Sequence, residues 1–577
     1  MSLDIPPALG SAQVEADGKA GSPGVGRDLF KIVLLGIAKF SAAFILIFLL
    51  TDMDPALRMP DSSAEDQRYV REMAGYYGST EDRLVNWLAD VARGNFGFSM
   101  YSQRPVGDEL GFALQATGLM VLATFALLIL ASACLTLVYR RASVSLPRAI
   151  SLFGTLPGSI PEIVGVIIVW LVMGVFLGWI PLSMEPLGGD PFFYAVQAGG
   201  VAAILTLYKL GQVSSLSNFR ADFDAGIART LFDAFTDVLK YFPAWLFSAI
   251  ILVEVVFHGV GLGGKFVSAV LTLDWMVVRA IAMLAVLAVI VVQIIADISS
   301  CLVEQPGEIH GHGPQSTIGA AIFSSSIALF GAGLVLAWFM AAVAAGAISS
   351  HDPYEINFGV VLSPPNGEFL FGTDQFGRDI FSRILFGARS IMVVAASAFF
   401  IALVVAAGLN LIPGTAKVLI SFLASILASF PLLILAILIV AAFGAGHIVG
   451  YVGALAIGLL PALYQMIGQT LTEPPEGIST IKHCLQSIGT QSSALVAEGC
   501  RHLAYLVGII FAVDYIGFGI QNPMASWGAM VGTGNLFEQG LLAPWTILAP
   551  FAAVVTLTLG LNLLAEGITR KLAKDWS

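Results

Sequence analysis

The chain has 577 residues, 57% of them hydrophobic and only 12% charged, with a formal net charge of −11. A soluble domain carries about 25% charged residues, so this composition belongs to an integral membrane protein, and the acidic balance argues against a nucleic-acid partner. Cys134, Cys301, Cys484 and Cys500 are scattered, no C-x-x-C, H-E-x-x-H or P-loop spacing occurs, and His310-Gly-His312 falls in a Gly/Pro stretch; the sequence therefore points to no metal, no cofactor and no ATP hydrolysis by this chain.

Residues 1–26 are rich in Gly, Ala, Pro and Ser and read as a disordered cytoplasmic tail without a cleavable signal. An apolar run of about 20 residues spans a bilayer. The first such run is 32–50, with Lys39 inside it. A polar stretch at 51–110 follows, with Tyr76, Tyr77 and Trp87 as aromatic anchors. The second span is 111–138, and Arg140, Arg141 and Arg148 behind it mark a cytoplasmic loop. The third, 150–180, is broken by Pro157 and Pro161, with Glu162 at the break. A carboxylate inside a span costs about 2.5–3.5 kcal/mol, so Glu162 either faces protein or water or snorkels to the interface. The fourth span is 192–207. Lys209, Arg220, Arg229 and Lys240 place 209–241 in the cytoplasm. The fifth and sixth spans are 242–257 and 276–295.

A Gly/Pro linker at 301–316 is the clearest boundary in the chain, separating 27–300 from 317–577. The seventh span is 318–347. Then comes a charged, glycine-punctuated block, Gly372-Thr373-Asp374-Gln375-Phe376-Gly377-Arg378-Asp379-Ile380-Phe381-Ser382-Arg383, continued to Ser390. It reads as a tight turn and then a short amphipathic helix, on which Asp374, Arg378 and Asp379 come close enough to pair. Spans eight to ten follow at 391–411, 418–443 (containing Phe430-Pro431) and 448–466. The polar segment 468–493 is the second long cytoplasmic stretch. The eleventh span, 494–516, is interrupted by Glu498, Arg501 and Asp514, and the twelfth is 546–564, with Arg570, Lys571 and Lys574 on its cytoplasmic side. The expected fold is all-α: twelve transmembrane helices in two parallel six-helix halves, both termini cytoplasmic, about a pathway normal to the membrane. The stretch 51–110 carries six arginines yet falls outside; loops of about 60 residues escape the positive-inside rule.

The block at 372–390 resembles the G-T-D-x-x-G-R-D-x-x-S-R-x-x-x-G-A-R signature of the C-type permease subunit of dipeptide/oligopeptide ABC importers. Gly517-Phe518-Gly519-Ile520-Gln521-Asn522-Pro523, Ser526-Trp527-Gly528 and Ala543-Pro544-Trp545 are similar to later parts of the same subunit. In the first half, 93–100 with Arg104-Pro105-Val106 resembles an element of the B-type subunit. So does Val253-Glu254-Val255-Val256-Phe257 with Gly261-Leu262-Gly263, where Val260 replaces a Pro. The segment 156–161 resembles the place where a family helix opens toward the pathway. The resemblance implies a type I ABC importer (MetI-like) permease in which B-type and C-type subunits are fused. It implies a peptide or peptide-like substrate and a bacterial inner-membrane location. The partners it implies are two ATPase subunits inside and a substrate-binding protein outside. On this resemblance Gly372, Thr373, Asp374, Gly377, Arg378, Asp379 and Arg383 shape the outer face where the binding protein docks, and Pro161, Glu162, Glu254 and Asp514 belong to the pathway.

The family's coupling loop, E-A-A-x-x-x-G with a later I-x-L-P, is less well kept. Asp224-Ala225-Gly226 matches its start and Pro243 its end, but Thr230 replaces the Gly. In the second half Lys482-His483-Cys484-Leu485 resembles the R-H-x-L, Gln486 replaces the Pro, and Glu473 falls on the Gly beside Pro474-Pro475, where a helix would break. Two further functions stay open on the residues alone. One is an ion-coupled secondary transporter with Glu162, Glu254 and Asp514 as carriers, distinguished by its independence of ATPase partners; the other is a membrane scaffold that no longer transports. Nickel, opine and antibiotic-peptide importers share the family, and nothing in the residues selects among them.

Overall fold

Where lipid offers no hydrogen-bond partners, a chain must satisfy its own backbone, and long apolar runs become helices. The computed structural model describes residues 25–54, 56, 62–73, 76–141, 160–172, 177–178, 243–257, 261–302, 318–444, 446–470, 491–532 and 536–575. Seven helices among them are long and apolar enough to cross a membrane, or eight if one bent pair counts as a single span. No strand longer than an isolated bridge occurs among the described residues. The expected fourth span, the linker beyond residue 302, the first coupling stretch and residues 471–490 of the second lie outside the described residues, and with them Asp224, Ala225, Gly226, Thr230, Glu473, Lys482, His483 and Leu485; residues 301–302, expected in the linker, end α8.

In chain order, α1 (Val25–Thr51) leads into two short helices, α2 (Ala64–Met73) and α3 (Thr80–Ala92), then α4 (Val106–Arg141). Pro161 caps α5 (Glu162–Val169), which one π turn extends to residue 172. Next come α6 (Pro243–Val256), α7 (Leu262–Leu271) and α8 (Trp275–Leu302). The expected seventh span is split into α9 (Ile318–Phe323), α10 (Ser326–Val343) and α11 (Ala345–Ile348). The later helices are α12 (Ile380–Asn410), α13 (Thr415–Leu427), α14 (Leu432–Phe443), α15 (Ile448–Thr470), α16 (Ser492–Ile516), α17 (Trp527–Gly532), α18 (Leu536–Leu542) and α19 (Trp545–Asp575).

Two local expectations are corrected. The second part of the signature block is no separate amphipathic helix; it is the opening of α12, which runs unbroken for 31 residues. Arg383, Gly387 and Ala388 are buried there and Arg389 is exposed, so the polar look of 378–388 reflects packing against protein and not a solvated face. The expected ninth span is not straight: α13 and α14 meet at 92°. Pro431 caps α14, and a proline ring has no N–H to continue the preceding helix and restricts the residue before it to extended backbone.

The same succession of features occurs twice. An isolated bridge, Phe98 with Pro105, immediately precedes α4; another, Thr373 with Asp379, immediately precedes α12. α1 packs along α8, and α10 along α19. A proline with φ −55° caps α5 and again α14. α6 and α16 each carry a buried carboxylate near their C-terminal ends, and α8 and α19 each begin at a tryptophan. Between the two sets, α5 meets α16, α14 meets α6, and α1 meets α13 and α14.

Candidate functional site

Three groups of polar residues stand out against this apolar frame. The first is the signature block. Asp374 accepts from the backbone of Phe376 at 2.9 Å and Arg378 at 3.0 Å and from Arg378 Nε at 2.7 Å, so residues 374–378 close around one carboxylate. Gly377 has φ +70°, and a methyl group there would run into the carbonyl of Asn357; only glycine fits this turn. Thr373 NH donates to Ser363 O at 2.9 Å and Asn357 NH to Phe376 O at 3.1 Å, fastening the turn to 357–363. Trp545 Nε1, at the start of α19, donates to Thr373 O at 3.2 Å, close to Gly372. Asp379 caps α12 by accepting from Ser382 NH at 2.9 Å. Arg383 reaches Pro353 O at 3.0 Å and lies 3.7 Å from Asp374. The side chains of Thr373, Asp374, Arg378, Asp379, Ser382 and Arg383 are buried, Arg383 to 1% exposure. Breaking a buried pair by removing one partner costs about 3–5 kcal/mol, so the block is a rigid knot that sets the shape of the loop. The exposed groups around it are Tyr354, Ile356, Phe358 and Leu370.

The second group is the pair of carboxylates Glu254 and Asp514. Glu254 is fully buried; Thr117 Oγ1 of α4 donates to it at 2.5 Å, and Gly263 NH of α7 donates to its other oxygen. Asp514 accepts from Tyr451 Oη at 3.0 Å and Ile520 NH at 2.9 Å on one oxygen and from Ser526 Oγ on the other. Hydrogen bonds to a charged group are worth about 1.5–3 kcal/mol each, enough together to offset an intramembrane carboxylate's cost of about 2.5–3.5 kcal/mol. Every oxygen of both groups is engaged by its own neighbourhood, so each carboxylate folds the glycine-rich loop after its helix back onto that helix. Gly528 packs so tightly over Asp514 that a methyl group would lie 2.8 Å from the Asp514 Cβ and 2.9 Å from the Tyr515 nitrogen.

The third group lies where α5 meets α16. Glu162, 6% exposed, opens α5, and a methyl group on Gly508 of α16 would come within 3.3 Å of Pro161 and 3.8 Å of the Glu162 carboxylate. Its counterpart after Pro431 is the apolar Leu432. Of the four expected pathway residues, Pro161 and Glu162 thus sit at this contact, whereas Glu254 and Asp514 are each bound within their own set of helices. Pro243, the expected end of the first coupling loop, opens α6.

Two residues escaped the sequence reading. Arg279 lies in the first turns of α8, 5% exposed, and donates to Thr51 Oγ1 at 2.9 Å and Thr51 O at 3.2 Å. Its guanidinium lies over Phe48 and Trp87, and Trp87 stacks on Phe44 at 4.2 Å. An arginine inside an apolar run was the available signal. The same end of α1 holds Asp52, paired with Arg83 at 2.5 Å, and Asp54, paired with Arg71 at 2.7 Å. The Arg71 hydrogen bond holds the Asp54 carboxyl below the usual carboxylate range. The other missed residue is Gln539 on α18, buried without a partner for either amide atom among the described residues.

The comparisons with known proteins bear on this arrangement. No family model matches the chain. A peptide transport system permease protein, SapC, of Salmonella typhimurium is 32% identical over 242 residues, 38% of this chain and 81% of the relative. This chain belongs to the peptide transport permease family. A dipeptide transport system permease protein, DppC, of Alkalihalophilus pseudofirmus is 29% identical over 42% of this chain and 84% of its own length. A di/tripeptide permease protein of Pseudomonas aeruginosa is 28% identical over 38% and 79%. As an all-helical, multi-pass permease of this kind, the chain is a transport subunit and not a catalyst. Each relative is covered over about four-fifths of its length by about two-fifths of this permease, which leaves about three-fifths of the chain beyond the alignment.

Proposed function

We propose that this protein is the complete transmembrane passage of an ATP-driven, binding-protein-dependent importer of peptides or peptide-like solutes, built from a B-type half at 27–300 and a C-type half at 317–577 joined by a linker. The single observation that carries this is the twofold recurrence of features: bridge and long helix, proline-capped helix, carboxylate latch, tryptophan-led helix. It is supported by the share of the chain left over once a single-subunit relative has been matched. Twelve spans, with both termini and the stretches 209–241 and 468–493 in the cytoplasm, complete two such halves. Two ATPase subunits dock on those stretches, through Asp224–Gly226 to Pro243 in one and Glu473 to Leu485 in the other. A substrate-binding protein docks outside, on the loops held by the 372–383 knot and the Trp87–Arg279 cluster. The passage runs between the halves at the α5–α16 and α6–α14 contacts, with Glu162 as its charged group, and lies in a bacterial inner membrane.

Reconstitution with two ATPase subunits and a substrate-binding protein of the same importer class should give ATP-dependent accumulation of a labelled dipeptide in proteoliposomes. Accumulation driven by an ion gradient without ATPases would replace this function with secondary transport, and no accumulation in either regime would leave a scaffold.

A further inference from the structure

Gln539 is 3% exposed, and neither its Nε2 nor its Oε1 has a hydrogen-bond partner among the described residues. Burying an amide without a partner is costly, and such groups are rare enough in native proteins that each calls for a structural or functional reason. The place is specific. α18 follows the Asp514 latch and adjoins α19, and a methyl group on Gly540 would lie 2.7 Å from Leu171. Leu171 belongs to the π-extended end of α5, nine residues beyond Glu162. A helix rises about 1.5 Å per residue, so Glu162 and Leu171 mark points roughly 13 Å apart along one wall of the contact between the two sets of helices. A peptide of three or four extended residues is of about that length.

Resting on the function proposed above, we infer that Gln539 is a substrate-contacting residue at the far end of this seam, where its amide pairs with a peptide group of the passing solute. A carboxamide offers one acceptor and a donor in a plane, the complement of a peptide N–H and C=O. Contact of this kind is indifferent to side chains, which suits a passage for peptides of varied sequence.

The test is Gln539→Leu, with Gln539→Met as a second variant closer in length, in the full complex with its ATPases and binding protein. Either change should lower ATP-dependent dipeptide uptake at saturating binding protein about five- to tenfold, the loss of one hydrogen bond formed during passage. The temperature of thermal unfolding should hold or rise, because a buried unpaired amide has been replaced by an apolar group. Uptake at the wild-type rate in both variants overturns the assignment while leaving the importer function intact. Loss of uptake together with a lowered unfolding temperature in both also overturns it, by making Gln539 structural. Absence of peptide uptake in the wild-type complex fails the function itself and the assignment with it.

Discussion

Thr117 of α4 donates its hydroxyl to Glu254 of α6 across 2.5 Å, and the same oxygen accepts from the backbone of Leu262 at 2.8 Å. One hydroxyl thus ties α4, α6 and the start of α7 together. Thr117→Val keeps the shape but leaves a buried carboxylate oxygen and a backbone N–H without their partner. Each such orphan costs about 1–3 kcal/mol. The unfolding temperature of the purified protein in detergent should fall by several degrees, and an unchanged value would show that the latch carries no stability.

Arg378→Ala removes one partner of a buried pair and should loosen the 357–379 loop by about 3–5 kcal/mol while leaving the spans inserted. Faster proteolytic cleavage within that loop, with unchanged membrane extraction behaviour, is the expected pattern. Asp374→Ala combined with Arg378→Ala should cost less than the sum of the two single changes, since the pair is lost only once. Strict additivity would mean that the two side chains act independently.

The Asp54–Arg71 pair ties α2 to the end of α1. Arg71 lowers the Asp54 pKa, so the pair's contribution is present above the ordinary aspartate value of about 3.9 and is lost as pH falls through the lowered folded value. The partly exposed geometry keeps its worth small and makes it salt-sensitive. A fluorescent probe on α2 should report a steady signal from pH 8 to about pH 4 and a release below that. Asp54→Asn should abolish this acid release; an identical release in the variant would assign it elsewhere.

Val85, on α3, is 62% exposed and Phe358, on the stretch before α12, is 76% exposed; each precedes a long helix of its own set. Cysteines placed there should both react with an impermeant thiol reagent added to intact cells. Reaction at one and protection at the other would break the parallel arrangement of the halves.

The two coupling stretches should be unequal. Asp224→Arg or Ala225→Trp should release the ATPase in pull-down and uncouple hydrolysis from uptake more than Glu473→Lys does, because Pro474-Pro475 interrupts any helix in the second stretch. Equal retention by all three variants with transport intact would remove the docking role from both.

Much of the helical frame was legible because lipid makes apolar length a sufficient cue: α1, α8, α12, α15, α16 and α19 each cover an expected span. What apolar length cannot convey is direction and burial. The 92° turn before Pro431 hides in a run that stays apolar on both sides, and α12 begins eleven residues early because Arg383 is neutralised by tertiary partners that sequence does not announce. The motifs located the knot and the carboxylate latches but not their interiors. Arg279 needs Thr51, 228 residues away, to make sense. Gln539 sits on a helix of seven residues, too short for any periodic signal.

α1 lies against α8 on one side and against α13 and α14 on another. A polypeptide threaded into a bilayer from its N-terminus lays down α1 before α8, α13 and α14, and domains made early tend to fold early. α1 therefore waits for its enclosure, since part of its berth is completed only when residues 415–443 emerge. Until then that flank is solvated by lipid or by an insertase. A ribosome stalled before α13 would leave an intermediate in which the earlier helices are associated but the molecule is not yet locked shut.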